Sequence, residues 1–146
     1  MTAVISRGAA KISVLRSLQS SDFSEQQLSS SDEIIRKALL YIKENYREKI
    51  TLAKAAQAVG LSEGYFSSYF NRVMKTGFPE YVMKYRLIIA AGYIASADTL
   101  PKGLSLKEIA YMNGFSSFTY FSSAFSKYFG VSPRQYRNRS HSSHGH

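Results

Sequence analysis

The chain has 146 residues, no cysteine and a formal net charge of +9. Disulfides and thiolate chemistry are thereby excluded, which fits a cytoplasmic protein, and no apolar run approaches the roughly 18 residues of a membrane span. The basic excess is typical of a protein that binds a polyanion. It is concentrated in residues 49–146, which contain twelve Lys and Arg against four Asp and Glu.

The first part of the chain is rich in serine and shows weak periodicity. Residues 1–31 are therefore predicted to form a flexible leader or linker. A first helix should begin near Ser31, because Ser30 and Glu33 stand at capping-box spacing and either Ser30 or Ser31 could be the cap. This helix should end near residues 47–49. Its apolar face recurs at helical period and comprises Ile35, Ala38, Leu39, Ile42 and Tyr46.

An internal repeat dominates the rest of the chain. Residues 52–62 resemble residues 106–116 at an offset of 54, and residues 65–70 match residues 120–125 at an offset of 55. The change of offset places one inserted residue at the start of the second helix of the second copy. The same spacing is kept over the whole length, so the similarity is not expected by chance.

A connecting helix is predicted between the two copies, from Phe78 to near Ala97. Residues 98–103 should end it, because they contain a proline and a glycine. Its apolar residues fall on one face and comprise Phe78, Tyr81, Val82, Tyr85, Ile89 and Tyr93.

Two further helix starts are marked by capping signals. Ser105 and Glu108 stand at capping-box spacing. Ser132 is followed by Pro133 at the first helical position, which predicts a short last helix through Tyr136.

Each copy has the pattern of a helix-turn-helix unit, the first at about residues 52–75 and the second at about residues 106–130. A short helix ends at a glycine that tolerates the left-handed conformation, a bulky apolar residue fills the turn, and a serine caps the second helix. In chain order these residues are Gly60, Leu61 and Ser62 in the first copy, and Gly114, Phe115 and Ser116 in the second.

The second helix of each unit has one apolar face and one face of small polar residues. The apolar faces comprise Phe66, Phe70 and Val73, and Phe121, Phe125 and Tyr128. The polar faces comprise Glu63, Gly64, Ser67, Ser68 and Asn71, and Thr119, Ser122, Ser123 and Ser126. Short side chains allow a helix to approach the floor of a major groove, although on a single helix such a face could merely be solvated.

Residues 31–138, nearly three quarters of the chain, resemble the AraC/XylS family of transcription regulators. The linker carries part of the resemblance through Arg86, Leu87 and Ala90. The second unit is the more specific part, with the pattern Ile109-Ala110-x-x-x-Gly114-Phe115-x-Ser117-x-x-Tyr120-Phe121-Ser122-x-x-Phe125-x-Lys127-x-x-Gly130-x-Ser132-Pro133-x-x-Tyr136-Arg137.

The resemblance implies an all-α domain of seven helices over residues 32–138, with two helix-turn-helix units joined by a long linker helix. Two recognition helices would enter successive major grooves. The motif alignment places the expected base-reading residues at Gly64, Ser67, Ser68, Asn71, Phe118, Thr119, Ser122 and Ser123. Phe118 could instead be a core residue at the helix start. The expected phosphate contacts are Arg72, Lys75, Lys127, Ser62 and Ser116.

Two features depart from the family pattern. Lys75 occupies the position of the usual glycine after the first recognition helix. The connection between the copies is about five residues longer than usual, near residues 97–104.

We therefore expect a sequence-specific double-stranded DNA-binding protein of bacterial type, a transcription activator that has RNA polymerase as a further partner. The DNA-binding domain should be monomeric. The alternatives are an isolated DNA-binding portion of a larger ligand-sensing regulator, or a basic membrane-surface or protein-interaction module. An enzyme is not expected, because paired carboxylates and a glycine-rich phosphate loop are missing. No cofactor is expected, and the histidines of the polar tail at residues 139–146 could hold a metal ion only weakly.

Overall fold

The computed structural model describes residues 32–96 and 104–144, and these residues are helical with short connections and no strands. The predicted all-α, seven-helix architecture is confirmed. In chain order the helices are α1 (Glu33–Asn45), α2 (Leu52–Val59), α3 (Glu63–Met74), α4 (Phe78–Ala95), α5 (Leu106–Met112), α6 (Phe118–Phe129) and α7 (Pro133–His144).

The described residues form two compact units. The N-terminal unit ends at Tyr85, the C-terminal unit begins at Arg86, and α4 runs from one into the other. The N-terminal unit contains α1, α2 and α3, whereas the C-terminal unit contains α5, α6 and α7. Each unit therefore holds one copy of the sequence repeat.

Helix α1 has the apolar face that its periodicity predicts. Ile35, Ala38 and Ile42 are completely buried. The helix begins at Glu33, after Asp32. The candidate caps Ser30 and Ser31, the leader at residues 1–31 and the helix-breaking residues 98–103 lie outside the described residues.

The turn of the first helix-turn-helix unit is closed by two backbone hydrogen bonds. The N–H of Leu61 donates to the carbonyl oxygen of Ala56 at 3.0 Å, and the N–H of Gly60 donates to that of Gln57 at 3.1 Å. This pair of bonds is the Schellman motif, which requires a left-handed residue after the helix. Gly60 provides it with φ of 76°, as predicted.

The turn of the second unit has the same geometry. The N–H of Phe115 donates to the carbonyl oxygen of Ala110 at 3.1 Å, and the N–H of Gly114 donates to that of Tyr111 at 3.2 Å. Gly114 has φ of 93°, so both predicted glycine turns are confirmed.

The predicted cap of the second recognition helix was wrong by one residue. The Oγ atom of Ser117, not of Ser116, accepts a hydrogen bond from the N–H of Tyr120, at 3.2 Å. An N-cap side chain must stand directly before the first helical residue, and α6 begins at Phe118. Ser116 is therefore the inserted residue of the second copy, and it lies exposed in the turn.

The capping box at the start of α5 is confirmed in both directions. The N–H of Glu108 donates to Ser105 Oγ at 3.0 Å, and the N–H of Ser105 donates to Glu108 Oε2 at 3.2 Å. Ser132 and Gln135 form the same reciprocal pair before α7, at 3.1 Å and 3.0 Å.

Helix α7 is longer than predicted, because it continues beyond Tyr136 to His144. Between Tyr136 and His144 the sequence contains no glycine or proline that would end a helix earlier. Residues 139–144 of the predicted polar tail are consequently helical.

The prediction that α4 has a single apolar face was wrong for its second half. Five consecutive residues, 87–91, are buried, and Ile94 is 1% exposed. Five consecutive buried residues point to most sides of a helix, so α4 is covered on more than the one apolar face that was predicted. Tyr81 and Tyr93, which belong to the predicted face, are only half-buried.

The sequence repeat is also a repeat of aromatic packing. The rings of Phe70 and Tyr81 lie 5.6 Å apart at 78°, and those of Phe125 and Tyr136 lie 5.5 Å apart at 74°. Both are edge-to-face contacts, the arrangement that aromatic rings prefer. Burial raises the pKa of the Tyr81 and Tyr136 hydroxyls above the ordinary tyrosine value.

Lys75 is the sole non-glycine residue of the described chain that has a positive φ, at 61°. Its N–H closes the end of α3 by donating to the carbonyl oxygen of Asn71 at 2.9 Å. Lys75→Gly should raise the free energy of unfolding by about 1 kcal/mol. The substitution removes the roughly 1–2 kcal/mol that the left-handed conformation costs a residue with a Cβ, and the larger loss of chain entropy by glycine offsets part of this gain.

Gly130 supplies the matched variant for this prediction, because it ends α6 at the equivalent position with φ of 82°. Gly130→Ala should lower the free energy of unfolding by a similar amount. Urea titrations of both variants provide the measurement. A Lys75→Gly protein that is no more stable than the parent would contradict the expected strain.

Candidate nucleic-acid interface

The two candidate recognition helices, α3 and α6, are built alike. Each has 12 residues and a serine N-cap, and each ends at a left-handed residue. Two completely buried phenylalanines one turn apart hold each helix to its own unit, at Phe66 and Phe70 and at Phe121 and Phe125. Because the inward faces correspond, the outward faces correspond as well.

The structure places the four expected base-reading residues of α3 on or beside its outward face. Gly64, Ser68 and Asn71 are exposed, whereas Ser67 is half-buried at the edge of this face. Asn71 stands seven residues after Gly64, which brings the two to the same side two turns apart.

The corresponding residues of α6 divide in the same way. Thr119 and Ser123 are exposed, and Ser122 is half-buried. Phe118 is also half-buried, and its ring lies 6.0 Å from that of Phe121. Part of its ring therefore packs on the core and part is open to solvent, which is compatible with either use expected of Phe118.

The cationic residues expected to contact phosphates are all exposed. Arg72 and Lys127 occupy matching positions near the ends of α3 and α6. The Arg72 guanidinium lies 5.2 Å from the centre of the Tyr69 ring, a cation–π contact that restricts its position. Lys75 stands directly after α3.

Of the two serines expected to contact phosphates, Ser62 caps a helix and Ser116 does not. Ser62 Oγ accepts the N–H of Tyr65 at 3.3 Å, so it caps α3 while its hydroxyl hydrogen can still be donated to a phosphate. Ser116 is exposed in the turn before α6 and has no capping role.

Two exposed tyrosines were missed by the sequence reasoning. Tyr65 and Tyr120 occupy the same position in α3 and α6, and they are 56% and 55% exposed. The hydroxyl of a tyrosine can donate a hydrogen bond to a phosphate oxygen. The available signal was their identity in both copies at a position that lies off the buried phenylalanine stripe.

Arg86 and Arg137, which belong to the family pattern, are half-buried, and both interact with residues of the C-terminal unit. Burial lowers the pKa of the Arg86 guanidinium, and the neighbouring Tyr120 partly offsets that shift. Arg137 Nη2 donates to the carbonyl oxygen of Leu104 at 2.7 Å, which ties α7 to the segment before α5.

Residues 32–96 and 104–140, whose side chains the structure describes, contain no cluster of three His, Cys, Asp or Glu side chains that could hold a metal ion. Among the same residues, no helix has the length and apolar character needed to cross a membrane. The side chains of the tail histidines lie outside the described residues.

The chain is similar to known helix-turn-helix proteins. A family model described as a helix-turn-helix domain matches residues 55–139. The melibiose operon regulatory protein of Escherichia coli is 33% identical over 106 residues, which cover 73% of this chain and 33% of that protein. The chain thus spans about a third of the length of this curated relative.

Two solved structures have the same fold. The C-terminal domain of AraT, a response regulator from Geobacillus stearothermophilus, is 33% identical with a TM-score of 0.67, over 76% of this chain and 88% of that one. An AraC-type DNA-binding regulator from Chromobacterium violaceum is 24% identical with a TM-score of 0.66, over 75% and 94% of the two chains. The chain belongs to the AraC family of helix-turn-helix DNA-binding transcription regulators.

Proposed function

We propose that the chain binds duplex DNA sequence-specifically by inserting α3 and α6 into successive major grooves. The observation that carries this proposal is the duplicated outward face, which consists of small polar residues on a helix anchored by two buried phenylalanines. A solvated helix has no need of the same small face twice. A helix that enters a groove needs it, because bulky side chains would hold its backbone away from the bases.

Base reading on these faces would rely on short side chains. Within the outward positions there is no arginine before Arg72, so the bidentate arginine–guanine contact is not offered by the first two turns of α3. Asn71 can pair with an adenine edge, and Thr119 and the serines offer single hydrogen bonds or contacts with thymine methyl groups. We infer modest discrimination at each base pair, with a large share of specificity coming from DNA shape and from simultaneous engagement of both helices.

Contacts to the phosphate backbone would fix the register of the two helices. The exposed cations Arg72, Lys75 and Lys127 supply the charge for these contacts. Ser62 and Ser116 add hydroxyl donors at the two helix starts, where the backbone N–H groups also favour anions. We add the exposed residues Tyr65 and Tyr120 to this group, because they occupy equivalent positions of α3 and α6.

Regulation of transcription would need contacts beyond those with DNA. We propose that the DNA-binding domain is monomeric at residues 32–138 and activates transcription in the cytoplasm through contact with RNA polymerase. The chain covers a third of the length of the curated relative from Escherichia coli. We therefore propose that it serves as the DNA-binding portion of a larger regulator that senses a ligand.

Selection of bound sequences from a pool of random duplexes tests the proposed function directly. Enrichment of one motif with two half-sites about 10 base pairs apart is the expected result. Retention on anionic vesicles at matched salt, without enrichment of any DNA sequence, would favour the membrane-surface alternative instead. Retention of all duplexes alike would contradict sequence-specific binding.

Single substitutions on the two outward faces should change base preference locally. Ser67→Ala, Asn71→Ala, Thr119→Ala and Ser122→Ala should each reduce discrimination by about 1 kcal/mol at base pairs within one half-site, because each removes one hydrogen bond or methyl contact. Binding to a panel of single-base variants of the selected site provides the measurement. Ser96→Ala, outside both recognition helices, is the control. Unchanged preferences in all four variants would mean that these faces do not read the groove.

A further inference from the structure

Gly64 is a glycine that the fold itself does not require. It is the second residue of α3, it is exposed, and it is not among the described glycines that have a positive φ. A Cβ atom built on it would meet no other atom within 4 Å. Neither the backbone conformation nor the packing of the N-terminal unit therefore excludes a side chain here.

Glycine at this position also carries a cost. Within a helix it is less favourable than alanine, because it loses more backbone freedom on folding. The second copy has Thr119 at the equivalent position of α6, so the helix-turn-helix unit accommodates a side chain there. The reason for glycine must lie outside the chain, on the side that α3 presents to its ligand.

We propose that Gly64 is a close-approach residue, at which the backbone of α3 lies directly against a base-pair edge in the major groove. This inference rests on the proposed function and adds an asymmetry to it. The first half-site would be read at short range by the bare backbone together with Ser68, one turn further on. The second half-site would meet the side chain of Thr119 instead.

The close approach of α3 predicts opposite effects of Gly64→Ala on stability and on DNA binding. The melting temperature should rise by a few degrees, because alanine is the better helix former. Affinity for the selected duplex should fall about tenfold, because the added methyl group holds α3 away from the base pair. Unchanged or tighter binding by Gly64→Ala would overturn the inference.

Gly92 provides the matched control. It lies within α4, and a Cβ atom built on it also meets nothing within 4 Å. Gly92→Ala should likewise raise the melting temperature, with less than a twofold change in affinity. An equal loss of affinity in both variants would overturn the inference, because it would show that the loss comes from helix stiffening in general.

A double-mutant cycle then tests the contact itself. If alanine at position 64 withdraws α3 from the groove, Ser68→Ala should weaken binding in the parent but have little further effect in the Gly64→Ala background. Thr119→Ala, on the other recognition helix, should retain its full effect in both backgrounds. Additive losses for Gly64→Ala and Ser68→Ala would overturn the close approach.

The failure of this inference can be distinguished from the failure of the proposed function. A parent protein that retains no duplex from the pool overturns the proposed function and this inference with it. A parent protein that binds its selected duplex, together with a Gly64→Ala variant that binds equally well, overturns only the inference.

Discussion

Phe70→Ala and Phe125→Ala should each lower the free energy of unfolding by about 3–5 kcal/mol, the range measured for phenylalanine truncation in protein cores. Both side chains are 0% exposed, and each has an edge-to-face partner, Tyr81 or Tyr136. Truncation leaves a cavity and removes a ring contact in the same place. A loss of this size is a large part of the stability of a small domain.

Urea unfolding followed by far-ultraviolet circular dichroism gives the required free energies. Tyr65→Ala is the control, because it removes a ring of similar size that is 56% exposed, and it should cost less than about 1 kcal/mol. The equivalence of the two copies would be contradicted if only one phenylalanine proved costly. Losses below about 1 kcal/mol at both would mean that the packing face of the recognition helices is wrongly assigned.

These buried faces show why a large part of the fold could be predicted from the sequence. Two phenylalanines at positions i and i+4 lie on the same face of a helix, so a helix can bury both rings together. The repeat contains such a pair in each copy. The turns were equally predictable at Gly60 and Gly114, because few residues other than glycine adopt φ near 80° without strain. Local chemistry determined these features, and local chemistry can be read from the sequence.

The errors occur where the local signal is ambiguous or missing. Two consecutive serines stand before α6, and both can cap a helix, so only the register of the helix selects Ser117 over Ser116. The end of α7 carries no stop signal near Tyr136. Residues 87–91 are all buried, and burial of five consecutive residues is a tertiary effect that a helical period cannot reveal.

The outward faces of the candidate site could be predicted from the sequence, but the exposure of individual side chains could not. Periodicity separates inward from outward residues and places Gly64 and Asn71 on the outward face, whereas their base-reading role is what the family resemblance implies. It does not tell whether an outward aromatic residue folds back onto the helix or remains open. The exposure of Tyr65 and Tyr120, and the division of Phe118 between core and solvent, are set by tertiary packing that only the folded structure shows.

Neutralising one cation on each recognition helix should give the largest expected effect on binding. Arg72→Gln combined with Lys127→Gln removes two phosphate contacts, and each contact contributes nearly one unit to the slope of log affinity against log salt. The slope should therefore flatten by about two units. At 0.1 M salt the loss of these two phosphate contacts corresponds to a loss of about 100-fold in affinity. This loss should be similar for all duplex sequences.

The control for this variant must remove the same net charge elsewhere, because any loss of positive charge weakens long-range attraction to DNA. Lys37→Gln combined with Lys43→Gln does so on α1, where both lysines are exposed. Its slope should stay within about half a unit of the parent slope, since attraction at a distance releases fewer condensed counterions than a direct contact. Fluorescence anisotropy between 50 mM and 200 mM salt resolves this difference. Equal slopes for the two double variants would show that Arg72 and Lys127 act through net charge alone, and lost sequence preference at an unchanged slope would assign them to the bases.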